Sequence, residues 1–250
     1  VFLADGRVLA YEFLVVAAGS QTDFFGMQDV EHRSLRLDDV QGARRIHDMV
    51  VASAQKNIFV IGGGYTGVEV ATHLAVSLRR RGVKAYHLHL VEKGEDILSL
   101  LPDWMKDYVR LELCRLKVQV HNGCSVSGFS DEKLALSDGR VFEHPLVIWA
   151  AGVKTPAFVR ELPFEKDRQG RLVVDETLQF HPGCFAVGDC ACIRYRGSAL
   201  RMAVMFSISA GATAAKNILR SVSGGQRLVS FRPLDLGYII PLAHAKSCGR

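Results

Sequence analysis

The stretch from Asn57 to Glu92, opening NIFVIGGGYTGVEVATHLA and closing YHLHLVE, constrains this chain more than any other. A short apolar run, Ile58 to Ile61, enters a turn with glycines at 62, 64 and 67. A helical pattern over about Thr66 to Arg80 follows, with Val68, Ala71, Ala75 and Leu78 on its apolar side and Gly82 as its stop. A second apolar run, Tyr86 to Val91, ends in an acid, Glu92. Strand, glycine turn, helix, strand and acid in that order predict a βαβ dinucleotide-binding unit. Gly62 permits the tight turn, Gly64 lets backbone approach a pyrophosphate, and Gly67 lets helix and strand pack closely. The phosphates would rest on amide N–H groups at the positive end of the helix.

A carboxylate at Glu92 accepts hydrogen bonds from ribose hydroxyls and repels a 2′-phosphate, which favours NADH over NADPH. It stands 25 positions after Gly67, against roughly 20 usually, which allows for a longer helix. The adjacent Lys93 pulls the preference the other way.

A chain of 250 residues with 48% hydrophobic and 23% charged side chains has room for one large or two modest globular domains. The net charge of +5 is dispersed except at Arg79-Arg80-Arg81, where cations suit the negative end of a helix. No basic stripe is present, so a nucleic-acid partner is not expected. Six cysteines without a CxxC point to neither a disulfide scaffold nor a zinc ribbon, and they fit a reducing cytosol. Cys184, Cys190 and Cys192 read as small buried thiols. His87 and His89 share a sheet face but lack an evident third ligand, so no metal is expected. No signal peptide is present, and the best apolar run, Met202 to Ala215, is too short for a membrane span. The start at Val1 and the stop at Arg250 just after an apolar segment read as those of a fragment.

Elsewhere the pattern repeats. LVVAAG at 14–19 and VIWAAG at 147–152 are apolar strands running into small residues, one on each side of the glycine turn. They suggest two related nucleotide-binding modules, the small residues permitting close approach of a ligand or another backbone. CFAVGD at 184–189 is a third buried strand, with Asp189 at its carboxyl end, where open α/β sheets bind ligands. Between these, Asp5-Gly6 marks a hairpin, Phe24 to Val51 a connection and then a helix through Leu35, Leu37 and Val40, and Asp96 to Leu116 a helix. Val118 to Val126, Leu134 to Leu136 and Val141-Phe142 read as strands, Met202 to Arg220 as a helix, and Phe231 to Ile240 as further strand.

Together YEFLVVAAGS (11–20), GGGYTGVEVATHLA (62–75), LVEKGEDIL (90–98), VIWAAGVKTP, FAVGDCA (185–191) and AAKNI (214–218) resemble the pyridine nucleotide–disulfide oxidoreductases. These are flavoproteins that bind two dinucleotides, and Thr66-Gly67-Val68-Glu69 brings the match nearest to type II NADH dehydrogenases. The resemblance implies an α/β fold of two Rossmann-like domains, an NADH domain (39–155) inserted in an incomplete FAD domain (1–38 and 156–235). Residues 236–250 would begin a carboxyl-terminal region through which the full-length protein could lie peripherally on the cytoplasmic face of an inner membrane. Gly62, Gly63, Gly64, Tyr65, Thr66, Gly67, Glu92, Ala151 and Gly152 would hold NADH. Ala18, Gly19, Gly188, Asp189, Met205 and Phe206 would hold FAD. Glu69, close to nicotinamide and flavin, would be the catalytic residue. The resemblance also leaves room for a homodimer.

The departures concern the electron acceptor. Quinone-using members carry an Ala-Gln pair and a second Gln where this chain has Val204, Met205 and Ser209. An FAD-dependent NADH dehydrogenase reducing a quinone or similar acceptor is one reading. A soluble NAD(P)H oxidoreductase with a protein, disulfide or oxygen acceptor is another, and a non-catalytic nucleotide-responsive protein a third.

Overall fold

The structure, a computed structural model, describes residues 1–52, 57–83, 85–225 and 227–249. It divides into two compact units, Val1–Gln21 with Val153–Leu236, and Thr22–Gly152 with Gly237–Arg250.

The second unit contains, in chain order, β1 (Leu35–Arg36), α1 (Val40–Ala52), β2 (Asn57–Ile61), α2 (Tyr65–Arg80), β3 (His87–Val91), α3 (Asp103–Arg115) and β4 (Val118–His121). An antiparallel meander follows, β5 (Val126–Phe129), β6 (Lys133–Leu136) and β7 (Val141–Glu143), before β8 (Pro145–Trp149). The main sheet is parallel throughout, in the order β1-β8-β2-β3-β4. Strand order therefore reverses between β2 and β8, and the crevice beyond their carboxyl ends is where such sheets bind ligands.

The apolar runs are nearly continuous because both faces of the sheet are covered. Ile58, Val60, Leu88 and Leu90 pack with Val68, Ala71 and Ala75 of α2 and Met105, Val109 and Leu113 of α3. Phe59, Ile61, Val147 and Trp149 pack on the other side with Leu134 and Leu136 of the meander.

In the first unit, Leu14–Val16 runs parallel to Cys184–Ala186, which pairs antiparallel with Gln179–His181. The helix Val204–Val222 packs on the short 3₁₀ turn Gly188–Cys190. Asn217 explains the AAKNI stretch. Its buried amide donates to the carbonyls of Thr177 and Val229 and accepts from the N–H of Val229, so both of its polar atoms are paired.

Several expectations need correction. Leu35 belongs to a strand rather than a helix, because Leu35-Arg36 extends the parallel sheet beside Ile148-Trp149. That pairing draws residues 22–38 into the second unit, so the units divide at 21/22 and 152/153 rather than at 38/39 and 155/156. The segment expected to begin a carboxyl-terminal region packs, from Gly237 on, into the second unit, with Ile240, Leu242, Ala243 and Cys248 in its core. The helix expected from Asp96 begins only at Asp103. Leu98 before it takes a left-handed φ of 50°, which no helix accommodates. The strand through Val126 breaks after His121, and Phe231 to Tyr238 forms no strand.

Candidate dinucleotide-binding site

Each glycine of the turn is fixed by a contact that a methyl group would violate, except one. Gly62 has a φ of 109°, and a Cβ there would lie 2.5 Å from the Ala150 carbonyl oxygen. A Cβ on Gly67 would lie 1.7 Å from the carbonyl oxygen of Gly62, so helix and strand approach as closely as backbone allows. At Gly63 it would meet Ile97 and Glu92. At Gly64 it would meet nothing within 4 Å. Gly64 is also the extended residue capping α2, and no side chain caps that helix. Gly64, Tyr65 and Thr66 are exposed. An open glycine beside uncapped N–H groups is a cradle that fits a pyrophosphate.

The Glu92 carboxylate is held between two backbone donors. Its Oε2 accepts from the N–H of Gly63 and its Oε1 from that of Gly94, both at 2.6 Å. Each oxygen keeps a lone pair for a further donor. Glu92 contributes to the walls of two cavities. One, of about 650 Å³, is shared with Gly62, Ala151, Trp149, Phe25 and Cys124. The other, of about 250 Å³, is shared with Gly63, Gly64 and Tyr65. Gly62, Gly63, Gly64, Tyr65, Glu92 and Ala151 are thus brought to one region, while exposed Thr66 and Glu69 line neither cavity. Gly152 has a φ of 151°, and a Cβ there would lie 3.2 Å from Cζ at the tip of the Phe25 ring. Contributors not identified in the sequence include Phe25, Met27, Gly94 and the Cys124–Val126 segment. They carry no glycine-motif or strand-end signal.

In the first unit the two parallel strands end side by side. Gly19 and Gly188 take φ values of 62° and 70° there. Asp189 accepts a hydrogen bond from the Ser20 hydroxyl at 3.1 Å. Phe206 is buried and lines, with Gly188, Asp189 and Ser207, a cleft of only about 10 Å³. That cleft admits no ring system. The residues that fit a flavin nucleotide are therefore the strand ends themselves, with Asp189 and Ser20 as polar contacts. Ala18 and Met205 are partly exposed and line no part of the cleft. The Cys190 thiol points into the backbone, 3.4 Å from the carbonyl oxygens of Val16 and Val187, and burial pushes its pKa up.

Among the described residues no group of three or more His, Cys, Asp or Glu is placed to hold a metal. His87 and His89 have a third imidazole nearby that the sequence did not reveal. Nδ1 of His89 lies 2.9 Å from Nε2 of His121. His89 also stacks on Phe59 at 4.3 Å. Burial, with the charges of His121, His87 and Arg140, lowers its pKa to about 4. It is a neutral core histidine. Cys114 is exposed, and the other five cysteines are buried and unpaired. Among the described residues no helix is long and apolar enough to cross a membrane.

Residues 2–217 match the family model described as pyridine nucleotide-disulphide oxidoreductase. The chain is 27% identical to the type II NADH:quinone oxidoreductase of Haemophilus influenzae, over 99% of this chain and 64% of that protein. It is 30% identical to an external alternative NAD(P)H-ubiquinone oxidoreductase B1, mitochondrial, of Solanum tuberosum, over 75% of this chain and 38% of that one. It therefore spans less than two thirds of either relative. The fold matches NDH2 of Plasmodium falciparum in complex with NADH, with a TM-score of 0.82 at 14% identity, covering 99% of this chain and 71% of that one. It also matches reduced Bacillus anthracis CoADR-RHD, with a TM-score of 0.77 at 19% identity, covering 94% and 42%. The glycine turn, the clamped acid and a family match over most of the chain agree: the chain belongs to the pyridine nucleotide-disulphide oxidoreductases, FAD-dependent enzymes that use nicotinamide nucleotides.

Proposed function

We propose that this chain is the nucleotide-handling part of an FAD-dependent NADH dehydrogenase that delivers electrons to a quinone or similar acceptor. The observation that carries this reading is the Glu92 carboxylate, clamped by Gly63 and Gly94 beside an uncapped helix start. A fixed carboxylate there suits two ribose hydroxyls and opposes a 2′-phosphate. Gly62 to Gly67 would carry the pyrophosphate, and Ala151 and Gly152 would border the nicotinamide half.

Flavin, when bound, supplies the two-electron chemistry, so the protein's task is positioning and electrostatics. Asp189, oriented by Ser20, would accept a hydrogen bond from the ribityl chain. Ala18, Gly19 and Gly188 would let backbone approach the flavin nucleotide, and Met205 and buried Phe206 would back those strand ends from the helix rather than face a flavin ring. Glu69 projects from the second turn of α2 and is exposed. In this reading its charge acts on ring stacking and flavin potential. Anaerobic NADH titration of the flavin-loaded protein tests it. Bleaching of the flavin band is expected, and its absence would sink every enzymatic reading. Glu69→Gln should slow that bleaching while leaving thermal unfolding unchanged, and equal loss of both would remove Glu69 from the role.

One observation favours a different acceptor. Ser209, where quinone-using members have the second Gln, turns its hydroxyl back to the Met205 carbonyl at 2.7 Å, and Val204 is exposed. Neither offers an outward polar group to a quinone. Turnover with soluble acceptors but not with a quinone would decide for the soluble oxidoreductase. Peripheral membrane association and a homodimer belong to the first reading; vesicle flotation and sedimentation test them.

A further inference from the structure

Near the start of the second unit, the sequence TDFFG supplies the least expected feature of its ligand crevice. Phe24 is buried in the core, whereas its neighbour Phe25 is 61% exposed. Phe25 also takes a φ of 50°, a conformation bulky side chains rarely adopt and one that clusters at ligand sites. Several hydrogen bonds hold it there. The N–H of Asp23 donates to the Gly152 carbonyl at 3.0 Å, and the Trp149 indole donates to the Asp23 carbonyl at 2.8 Å. The Asp23 carboxylate in turn accepts from the Phe25 N–H at 2.9 Å. The tip of the ring is thereby brought against Gly152, where a Cβ would come within 3.2 Å of it, and the ring is tilted 60° against Trp149 at 6.4 Å. It forms part of the wall of the 650 Å³ cavity that also contains Glu92 and Gly62.

A core explanation accounts for Phe24 and leaves Phe25 unexplained, because more than half of that residue faces water. The position says what it would cover. Glu92 stands at the end of β3, on one side of the switch point, and Gly152 follows β8, on the other. A dinucleotide whose adenosine ribose meets Glu92 and whose pyrophosphate crosses the glycine turn extends its second nucleoside toward Gly152. We propose that Phe25 is a ligand-contacting residue that packs on the nicotinamide half of the bound dinucleotide. The proposal rests on the NADH reading above. It makes the Asp23–Trp149–Gly152 hydrogen bonds a positioning device for one aromatic ring.

The test is calorimetric titration of the chain, and of its Phe25→Leu and Phe25→Tyr variants, with NADH and with ADP-ribose, which lacks the nicotinamide. Leucine keeps the apolar bulk and removes the ring. Losing an aromatic contact should weaken NADH roughly five- to tenfold and leave ADP-ribose unchanged, with tyrosine restoring the affinity and thermal unfolding the same in all three. Equal weakening of both ligands, or of neither, overturns the proposal while the NADH site stands. Failure of the unsubstituted chain to bind either ligand overturns the NADH reading and this proposal with it.

Discussion

The two AAG strands share an apolar run ending in Ala-Ala-Gly and live in different surroundings. VIWAAG leaves β8, a fully buried strand between β1 and β2 that ends at Trp149. LVVAAG leaves the strand Leu14–Val16, which is bonded to one neighbour and has Val15 41% exposed. Their glycines differ accordingly. Gly152 has a φ of 151° and the tip of the Phe25 ring 3.2 Å from where a Cβ would stand, whereas Gly19 has a φ of 62° and open space for 4 Å around that point. A shared local pattern thus produces a shared exit from a strand, and the number of neighbours determines how tightly that exit is held.

Substitutions that add one methyl group sharpen this contrast. Gly67→Ala should have the largest effect, because the methyl meets the Gly62 carbonyl oxygen at 1.7 Å and the backbone must move. A loss on the order of 3 kcal/mol of stability, with loss of NADH binding, is expected from denaturant melts and titration. Gly152→Ala should follow, at about 2 kcal/mol, since it combines a glycine-only backbone with the Phe25 contact. Gly19→Ala should cost only about 1 kcal/mol, the penalty of a left-handed φ in open space. Equal effects at 19 and 152 would break the comparison.

Glu92→Gln should weaken NADH roughly tenfold and weaken NADPH less, by removing a charge that opposes the 2′-phosphate. Unchanged discrimination between the two nucleotides would count against Glu92 as the selector. The smallest effect at neutral pH is expected from His89→Phe. Burial lowers the His89 pKa to about 4 in the folded chain, against about 6.5 when unfolded. Below the unfolded value the unfolded chain binds the extra proton, so stability falls as pH drops from about 6.5 toward 4. Phenylalanine, still stacked on Phe59, should flatten that part of the stability–pH curve in melts from pH 7 to pH 4.5.

What was legible in the sequence was whatever a short stretch of backbone demands. The glycine turn, its helix, the strand ending in Glu92 and the two AAG exits follow from conformational freedom and apolar periodicity over a few residues. The longer irregular stretches were not legible. The residues before Asp103 carry apolar side chains at helical spacing, yet the left-handed Leu98 and buried Ile97 serve the tertiary core instead. Leu35-Arg36 became a strand because β8 offered an open edge, which no local propensity encodes.

The sequence by itself determined that a parallel α/β unit with a phosphate-accepting turn would form and that an acid would stand at the end of its second strand. Tertiary structure alone decided that Gly63 and Gly94 grip that acid, that Ser20 meets Asp189 across 169 positions, and that His121 lies beside His89. It also decided that the tip of the Phe25 ring abuts Gly152. Period and glycine placement act over a turn or two of chain, where the residues themselves set the geometry. The other contacts require segments distant in the chain to end side by side, which the spatial order of the strands decides.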